Sequence, residues 1–527
     1  MTRQKSEGRV VPQGHRKVVV TRRDEPRGGG KAIPVDERMR QLALPFGTAE
    51  VRAARAERVD GGAEVGRPTS ATRAKPKPKS KEKTVASVTM EEVTGRLGEA
   101  FEKVASNKGA AGPDGRSIAW VRAHLEELLP ALGRDLLEGS YRPGDIRRVW
   151  IPKAGGGQRG LGIPNVVDRM VQEAVRAVLE PLYEPTFHDG SHGFRPGRSC
   201  HTAVTQARQH VEEGYEWVVD IDLEKFFDKV NHQRLMARLA ERVADRRLLV
   251  LLGRMLKAHV VMPDGVRVST DEGVPQGGPL SPLLSNVVLD ELDRELARRG
   301  HRFVRYADDC NIYVRSERAG ERVMASVVSF IERRLRLKVN AAKSAVARPS
   351  ERHFVGFRIE REPETEALEV LPSKRSEERI RERIRELTPR TWGQSLRDCI
   401  RQVNEYLRGW FGFFAICTAG VLRLLQGLDA HTRRRLRALQ LRQWKTKRTQ
   451  ARRLIALGVK PKTAWKNVYD GRKSLWALSH TSAAHRGLRN AFFAERGLVP
   501  LEQRWWKHQE HIAAPAQLSL RWDAPRS

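Results

Sequence analysis

Cysteine is scarce: Cys200, Cys310, Cys399 and Cys417 are the only four in 527 residues. No two stand at a Cys-x-x-Cys spacing, so neither a disulfide framework nor a structural zinc site is expected. Long apolar runs are missing as well. No stretch of about 18 apolar residues occurs, and the basic N-terminus lacks the apolar segment of a secretory signal. A soluble, non-secreted protein in a reducing cytosol is the expectation. Acids are outnumbered, with 64 Asp and Glu against 97 Lys and Arg and a formal charge of +33. A surplus that large speaks about partners rather than fold. Nucleic acid leads, with an anionic membrane surface as the weaker alternative.

The surplus is unevenly spread. Residues 1–90 carry about +11, residues 91–370 about +1 and residues 371–527 about +21. A nearly neutral centre flanked by basic ends fits acidic chemistry between phosphate-binding surfaces. Residues 1–88 are rich in Arg, Lys, Gly and Pro, with little apolar periodicity beyond an island at Leu42–Phe46, and are expected to be a largely disordered extension. Order is expected from Thr89, which stands at capping-box spacing from Glu92 and precedes Met90, Val93, Leu97, Phe101 and Val104 at helical intervals. Short β-like runs then alternate with amphipathic helices to about residue 370. Beyond that the pattern is helical and basic. One helix is expected from about His431 to Leu457, arraying Arg433, Arg434, Arg435, Arg437, Arg442, Lys445, Lys447, Arg448, Arg452 and Arg453 around Leu436, Leu439 and Trp444. A solvated charged face is the plain alternative. Ten cations without a nearby acid repel one another unless a polyanion neutralises them.

Two segments carry the chemistry. Trp217–Asp222 reads as a strand, which puts Asp220 and Asp222 on one face and Val219 and Ile221 on the other. Phe303–Val314 reads as a hairpin with Asp308 and Asp309 at its tip. An Asp-Asp turn alone is commonly just solvated; two acidic strand features in the neutral part of a very basic chain shift that balance. Extending a 3′ end takes two Mg²⁺ ions, one for the attacking hydroxyl and one for the leaving pyrophosphate. Carboxylate oxygens from adjacent strands suit such ions.

Tyr306-Ala307-Asp308-Asp309, together with Asp222 and the following Phe226-Phe227, resembles the catalytic motifs of reverse transcriptases, in the form usual in group II intron and related bacterial enzymes. The ordered set is what makes the likeness specific. Asn107–Gly115, Val149–Lys153, Arg159–Pro164 and Asp168–Gln172 look like the N-terminal block and fingers; Ser191–Ser199 and Gly273–Pro282 are similar to later blocks; Leu337–Asn340, Lys343 and Phe354–Phe357 resemble the last palm motif and primer-grip turn. Gly160 stands where the family usually has Pro. Asn404–Trp410 with Phe413-Phe414 looks like the family's thumb, and Trp476, Ser479, Leu488, Asn490, Phe492 and Gly497-Leu498 resemble its tail. About residues 90–500 are covered.

The resemblance implies an α/β (α+β) right-hand polymerase: an extension at 1–88, fingers and palm at 89–370, an α-helical thumb or maturase domain at 371–450 and a basic DNA-binding tail at 451–527. It implies catalysis at Asp222, Asp308 and Asp309, holding two Mg²⁺ (Mn²⁺ as an alternative), with Lys343 either protonating pyrophosphate or pairing with an acid. Lys153, Arg159, Phe227 and Gln276 would meet the nucleotide, Phe227 as a gate against the ribose 2′-hydroxyl or as an ordinary core residue. Arg195 and Arg198 would touch template or pair with acids, and Arg433, Arg434, Arg437, Lys445, Lys447 and Arg448 would bind nucleic acid. Structured intron RNA, an RNA template, a DNA primer and dNTPs are the implied partners, in the bacterial cytosol or nucleoid, with no membrane. Many family members end in an endonuclease with paired cysteines; none follows Cys417 here, so priming from an existing 3′ end is expected. The rivals are a relative serving defence or repair without an intron, and a maturase that only binds RNA. A viral RNA-dependent RNA polymerase is disfavoured by Phe227 and Tyr306.

Overall fold

The computed structural model describes residues 88–152, 157–389, 393–470 and 474–513. The expectations for residues 1–87 and for Lys153 therefore lie outside the described residues.

The chain enters through helices α1 (Met90–Gly95) and α2 (Leu97–Ser106), and Thr89 caps the first by accepting from the Glu92 amide, as its spacing predicts. Helices α3 (Ile118–Ala123) and α4 (Leu125–Glu138) follow, the latter ended by Gly139 at φ 70°. Strands β1 (Ile146–Pro152) and β2 (Gln158–Ile163) form an antiparallel hairpin. Helix α5 (Val166–Tyr183) is buried on nearly all sides, and the polar stripe it carries at Asp168, Arg169, Gln172 and Glu173 is buried with the rest. Helix α6 (Cys200–Glu212) starts at a reciprocal Ser199–Thr202 capping box.

Strand β3 (Trp217–Asp222) leads through α7 (Phe226–Lys229), α8 (His232–Ala240) and α9 (Arg246–Leu256) to the short strands β4 (Val260–Val261) and β5 (Arg267–Val268). Helix α10 (Ser281–Arg298) precedes the hairpin β6 (Arg302–Tyr306) and β7 (Asp309–Val314), and α11 (Glu317–Phe330) continues into a π-helical turn at Ile331–Leu335. Strand β8 (Ala345–Ala347) and the β9 (Phe357–Arg361)–β10 (Leu368–Pro372) pair complete the strands.

Two four-stranded sheets result, ordered β2-β1-β4-β5 and β6-β7-β3-β8. The second has a core on each face. Val219, Ile221, Phe303, Cys310 and Ile312 join a cluster with α5 and α10, while Val218, Val304 and Tyr313 join one with α6 and the C-terminal helices. Period-two alternation along β3, β6 and β7 produces that division, and the acids of β3 fall on the second face as their spacing predicts.

The C-terminal part is helical: α12 (Lys374–Leu387), α13 (Leu396–Phe414), α14 (Val421–Gln443), α15 (Lys447–Ala456), α16 (Pro461–Tyr469), α17 (Leu475–Leu478), α18 (Ser482–Gly487), α19 (Asn490–Ala494) and α20 (Leu501–Ala513). The single helix expected over His431–Leu457 is two. Lys445 takes φ 52°, and Thr446 caps α15 by accepting from the Thr449 amide. Residues from Ile380 to Trp505 share one cluster. The expected borders at 370/371 and 450/451 fall inside β10 and α15. Among the described residues no helix is long and apolar enough to cross a membrane.

Candidate active site

Strand register brings the carboxylates together. Asp222, last in β3, stands opposite Asp309, first in β7. Tyr306 pairs with Asp309, so Ala307 and Asp308 form a two-residue hairpin loop, with Ala307 at the positive φ (58°) that tight hairpins require. Asp220 lies two residues back on the same face as Asp222, buried, and accepts from Arg352 Nε at 2.8 Å and Nη2 at 2.5 Å. Arg352 also donates to the Lys343 carbonyl. Lys343 Nζ reaches Asp222 Oδ2 at 3.3 Å, which brings together two residues singled out 121 positions apart.

Burial raises the pKa of Asp220, Asp308 and Asp309. For Asp309, held well above the usual carboxylate value, burial leads and repulsion from Asp220, Asp308 and Asp222 adds to it. Arg352 works against the rise at Asp220 and Asp309. Among the described residues no three His, Cys, Asp or Glu side chains stand close enough to cage an ion unaided. Mg²⁺ commonly binds through one or two carboxylates, water and substrate phosphates, and the hard-oxygen donors Asp222, Asp308 and Asp309 fit that mode.

The hairpin rests on a buried network that the sequence did not announce. Arg305, fully buried, donates to Asp293 from Nε (2.7 Å) and Nη2 (2.5 Å), to Asn286 Oδ1 and the Ala307 carbonyl from Nη1, and to Ser191 Oγ. Every donor of the guanidinium is used. Gly193 lies so close beneath the loop that a Cβ there would stand 2.2 Å from the Ala307 nitrogen. Only glycine permits that approach.

On the other side of the site, Arg159 Nε donates to Gln276 Oε1 at 2.9 Å, and the Gly162 amide donates to the Gln276 carbonyl at 2.6 Å. Arg159 also lowers the Asp308 pKa against its burial, so it lies within electrostatic reach of the hairpin tip. Phe227 sits in the first core, its ring 5.3 Å from that of Phe226 and its carbonyl accepting from the Val274 amide. Val355 and Gly356 form a turn with φ 44° and 94° where the primer-grip likeness falls.

Several cations expected on nucleic acid are structural. Arg195 is buried and donates to Glu184 and to the carbonyls of His188 and Ser191. Arg198 pairs with Asp189 at 2.6 Å. Arg437 is buried, donates to the Leu488 carbonyl at 2.9 Å, and burial brings its pKa down to about 10. All three Arg195 nitrogens are taken by Glu184, His188 and Ser191 oxygens, the acid-pairing alternative of its two readings, whereas Arg437 is anchored through Nε alone. Arg433 is half-buried, and Arg434 lies 4.0 Å from the Trp476 ring centroid. Lys445, Lys447 and Arg448 are exposed.

The sequence matches two family models: "Reverse transcriptase (RNA-dependent DNA polymerase)" over residues 151–359 and "Group II intron, maturase-specific domain" over residues 377–456. It is 42% identical over 210 residues to Protein YkfC of Escherichia coli, covering 38% of this chain and 55% of that protein. To the group II intron-encoded protein LtrA of Lactococcus lactis it is 39% identical over 196 residues, 37% of this chain and 32% of that one. A putative COX1/OXI3 intron 2 protein of Saccharomyces cerevisiae is 35% identical over 200 residues, 38% of this chain and 23% of that protein. The matched segments thus span about half or less of these relatives. Among solved structures, the partial Cas6-RT-Cas1–Cas2 complex aligns at 23% identity over 47% of this chain and 43% of that one, with a TM-score of 0.31.

Proposed function

We propose, on the premise that this chain belongs to the group II intron-type reverse transcriptases, that it copies RNA into DNA and binds a structured intron RNA to promote splicing. The observation that carries the polymerase reading is the facing of Asp222 and Asp309 with Asp308 at the adjoining loop, opposite an Arg159–Gln276 pair. In the reaction a primer 3′-hydroxyl attacks the nucleotide α-phosphorus, and the bond to pyrophosphate breaks. Asp222, Asp308 and Asp309 would hold Mg²⁺, which would supply activation of the hydroxyl and neutralisation of the departing charge.

The chain's own groups do the rest. Arg159 binds triphosphate oxygens, Gln276 orients the nucleotide beside it, and Phe227 blocks a 2′-hydroxyl. Lys343, free to swing from Asp222 once that carboxylate is otherwise engaged, gives a proton to the pyrophosphate oxygen. Lys445, Lys447 and Arg448 bind RNA phosphates. The partners are intron RNA, RNA template, DNA primer and dNTPs, and the place is the bacterial cytosol or nucleoid.

Primer extension on an RNA template, with dNTPs and NTPs compared, tests this. Extension with dNTPs alone is expected, and Asp308→Ala with Asp309→Ala should abolish it while RNA binding persists. Extension surviving that double change overturns the assignment; binding without extension in the parent chain supports the RNA-binding maturase instead.

A further inference from the structure

Helix α16 lies beyond both matched segments and has two unlike faces. Ala464 and Val468 are buried against the C-terminal core. Lys462, Trp465, Lys466 and Tyr469 are all exposed and follow one another at i, i+3, i+4 and i+7, a single stripe down the helix. Trp465 is 37% and Tyr469 49% exposed, with ring centroids 5.5 Å apart and planes tilted by 35°. Lys447, from the start of α15, brings its ammonium 5.5 Å from the Tyr469 centroid, and Arg448 beside it is exposed. Among the described residues none of Lys447, Arg448, Lys462 or Lys466 pairs with a carboxylate. No acid occurs in the sequence between Asp429 and Asp470.

A single exposed aromatic ring is ordinary on a protein surface. Two adjoining rings framed by four unpaired cations are different. The rings offer flat apolar faces, and the cations offer positive charge at both edges that no carboxylate among the described residues pairs. Duplex nucleic acid hides its base faces, so it would use the charge and leave the rings idle. An unpaired strand uses both, its bases stacking on the rings while its phosphates meet the cations. We propose that the Trp465–Tyr469 face of α16, with Lys447, Arg448, Lys462 and Lys466, is a docking platform for a single nucleic-acid strand, read by stacking and charge and not by base identity. The platform does not require the polymerase reading, since no residue of the carboxylate site belongs to it.

The test uses the full chain with a saturating primer–template duplex in place, so that the cleft is occupied. Binding of a labelled 20-nucleotide oligo(dT) and of a hairpin duplex of equal length is followed by anisotropy across a salt series. Trp465→Ala with Tyr469→Ala should lose between about 5- and 100-fold in affinity for the single strand at unchanged salt slope, and leave duplex affinity as it was. Trp465→Phe with Tyr469→Phe should recover most of the loss. Lys462→Ala with Lys466→Ala should instead shallow the single-strand slope by about 1.4. Unchanged single-strand affinity in the alanine pair overturns the platform, as does equal loss on strand and duplex. Loss of binding to anionic vesicles with strand binding intact also overturns it, in favour of a membrane surface. Primer extension measured in parallel stays at the parent level, so a failed polymerase assignment is not confused with a failed platform.

Discussion

Arg159 and Gln276 meet across 117 residues of chain, guanidinium Nε to amide oxygen at 2.9 Å. One lies on β2 and the other in the loop before α10, and a backbone bond from Gly162 to Gln276 runs alongside. Strand and loop are thereby locked together at the edge of the carboxylate site. If both side chains serve one nucleotide, their contributions are coupled. Arg159→Ala should lower kcat/KM for dNTP by about 10- to 150-fold, the span of a lost charge-assisted hydrogen bond. Gln276→Ala should cost less, and the double variant should fall short of the product of the two. Steady-state kinetics on the four proteins measures the coupling; fully multiplicative losses would mean that the bond does not matter to the site.

The Arg305–Asp293 pair predicts a loss of stability rather than of chemistry alone. Both side chains are fully buried, so removing one leaves the other charged and unpaired. Arg305→Met or Asp293→Asn should each cost about 3–5 kcal/mol in urea unfolding. Arg305→Met combined with Asp293→Leu should cost less than either, because no orphan charge remains. A parent-like unfolding midpoint in the single variants would contradict the buried-network account.

Asp309 makes stability depend on pH in the sense opposite to an ordinary salt-bridged acid. Its folded-state pKa is raised from the usual 3.8, so the native state holds the proton more firmly than the unfolded chain. The ion-free protein therefore loses stability as pH rises from the unfolded-state value to the raised one, and the loss stays constant above it. Asp309→Asn should be more stable than the parent at pH 7, with the gap closing as pH falls toward 4. Thermal unfolding from pH 8 downward follows this, and added Mg²⁺ should stabilise the parent more than the variant. A gap that widens on acidification would reverse the sign argued here.

The exposed and buried cations of the C-terminal helices should separate cleanly. Lys445→Ala, Lys447→Ala and Arg448→Ala together should reduce the salt slope of RNA binding by about 2–3 with little change in melting temperature. Arg195→Met and Arg437→Met should lower the melting temperature and leave the slope alone. A slope change from Arg437→Met would show that its side chain leaves the core to reach RNA.

These contrasts also mark what the sequence could tell. Strand alternation located Asp220 and Asp222, hairpin patterning located Asp308 and Asp309, and Thr89 announced the first helix, because each signal is local. Arg195 was left between template and an acid partner, and the burial of Arg437 went unseen, because an arginine looks the same in sequence whether it faces a phosphate or a protein oxygen. The break at Lys445 carried neither Gly nor Pro. Arg305, Asp293 and Arg352 went unremarked as site residues for a different reason. Their roles exist only through partners: Asp293 is 12 positions from Arg305, whereas Ser191 is 114 from Arg305 and Asp220 is 132 from Arg352. Only the fold brings those last pairs together.

Asp222 and Asp309 face each other because β3 and β7 pair residue for residue from Trp217 opposite Val314 to that last step. Sheet side chains alternate, so shortening or lengthening β7 by one position would turn every later side chain through the sheet. Asp309 would stay near the loop, but Cys310, Ile312 and Val314 would leave their core and Asn311 and Tyr313 would enter it. The centre can thus absorb a change of residue far more readily than a change of length. Its phase is kept by apolar side chains that never touch a substrate, and a single-codon insertion in β7 would disable it without altering one of its acids.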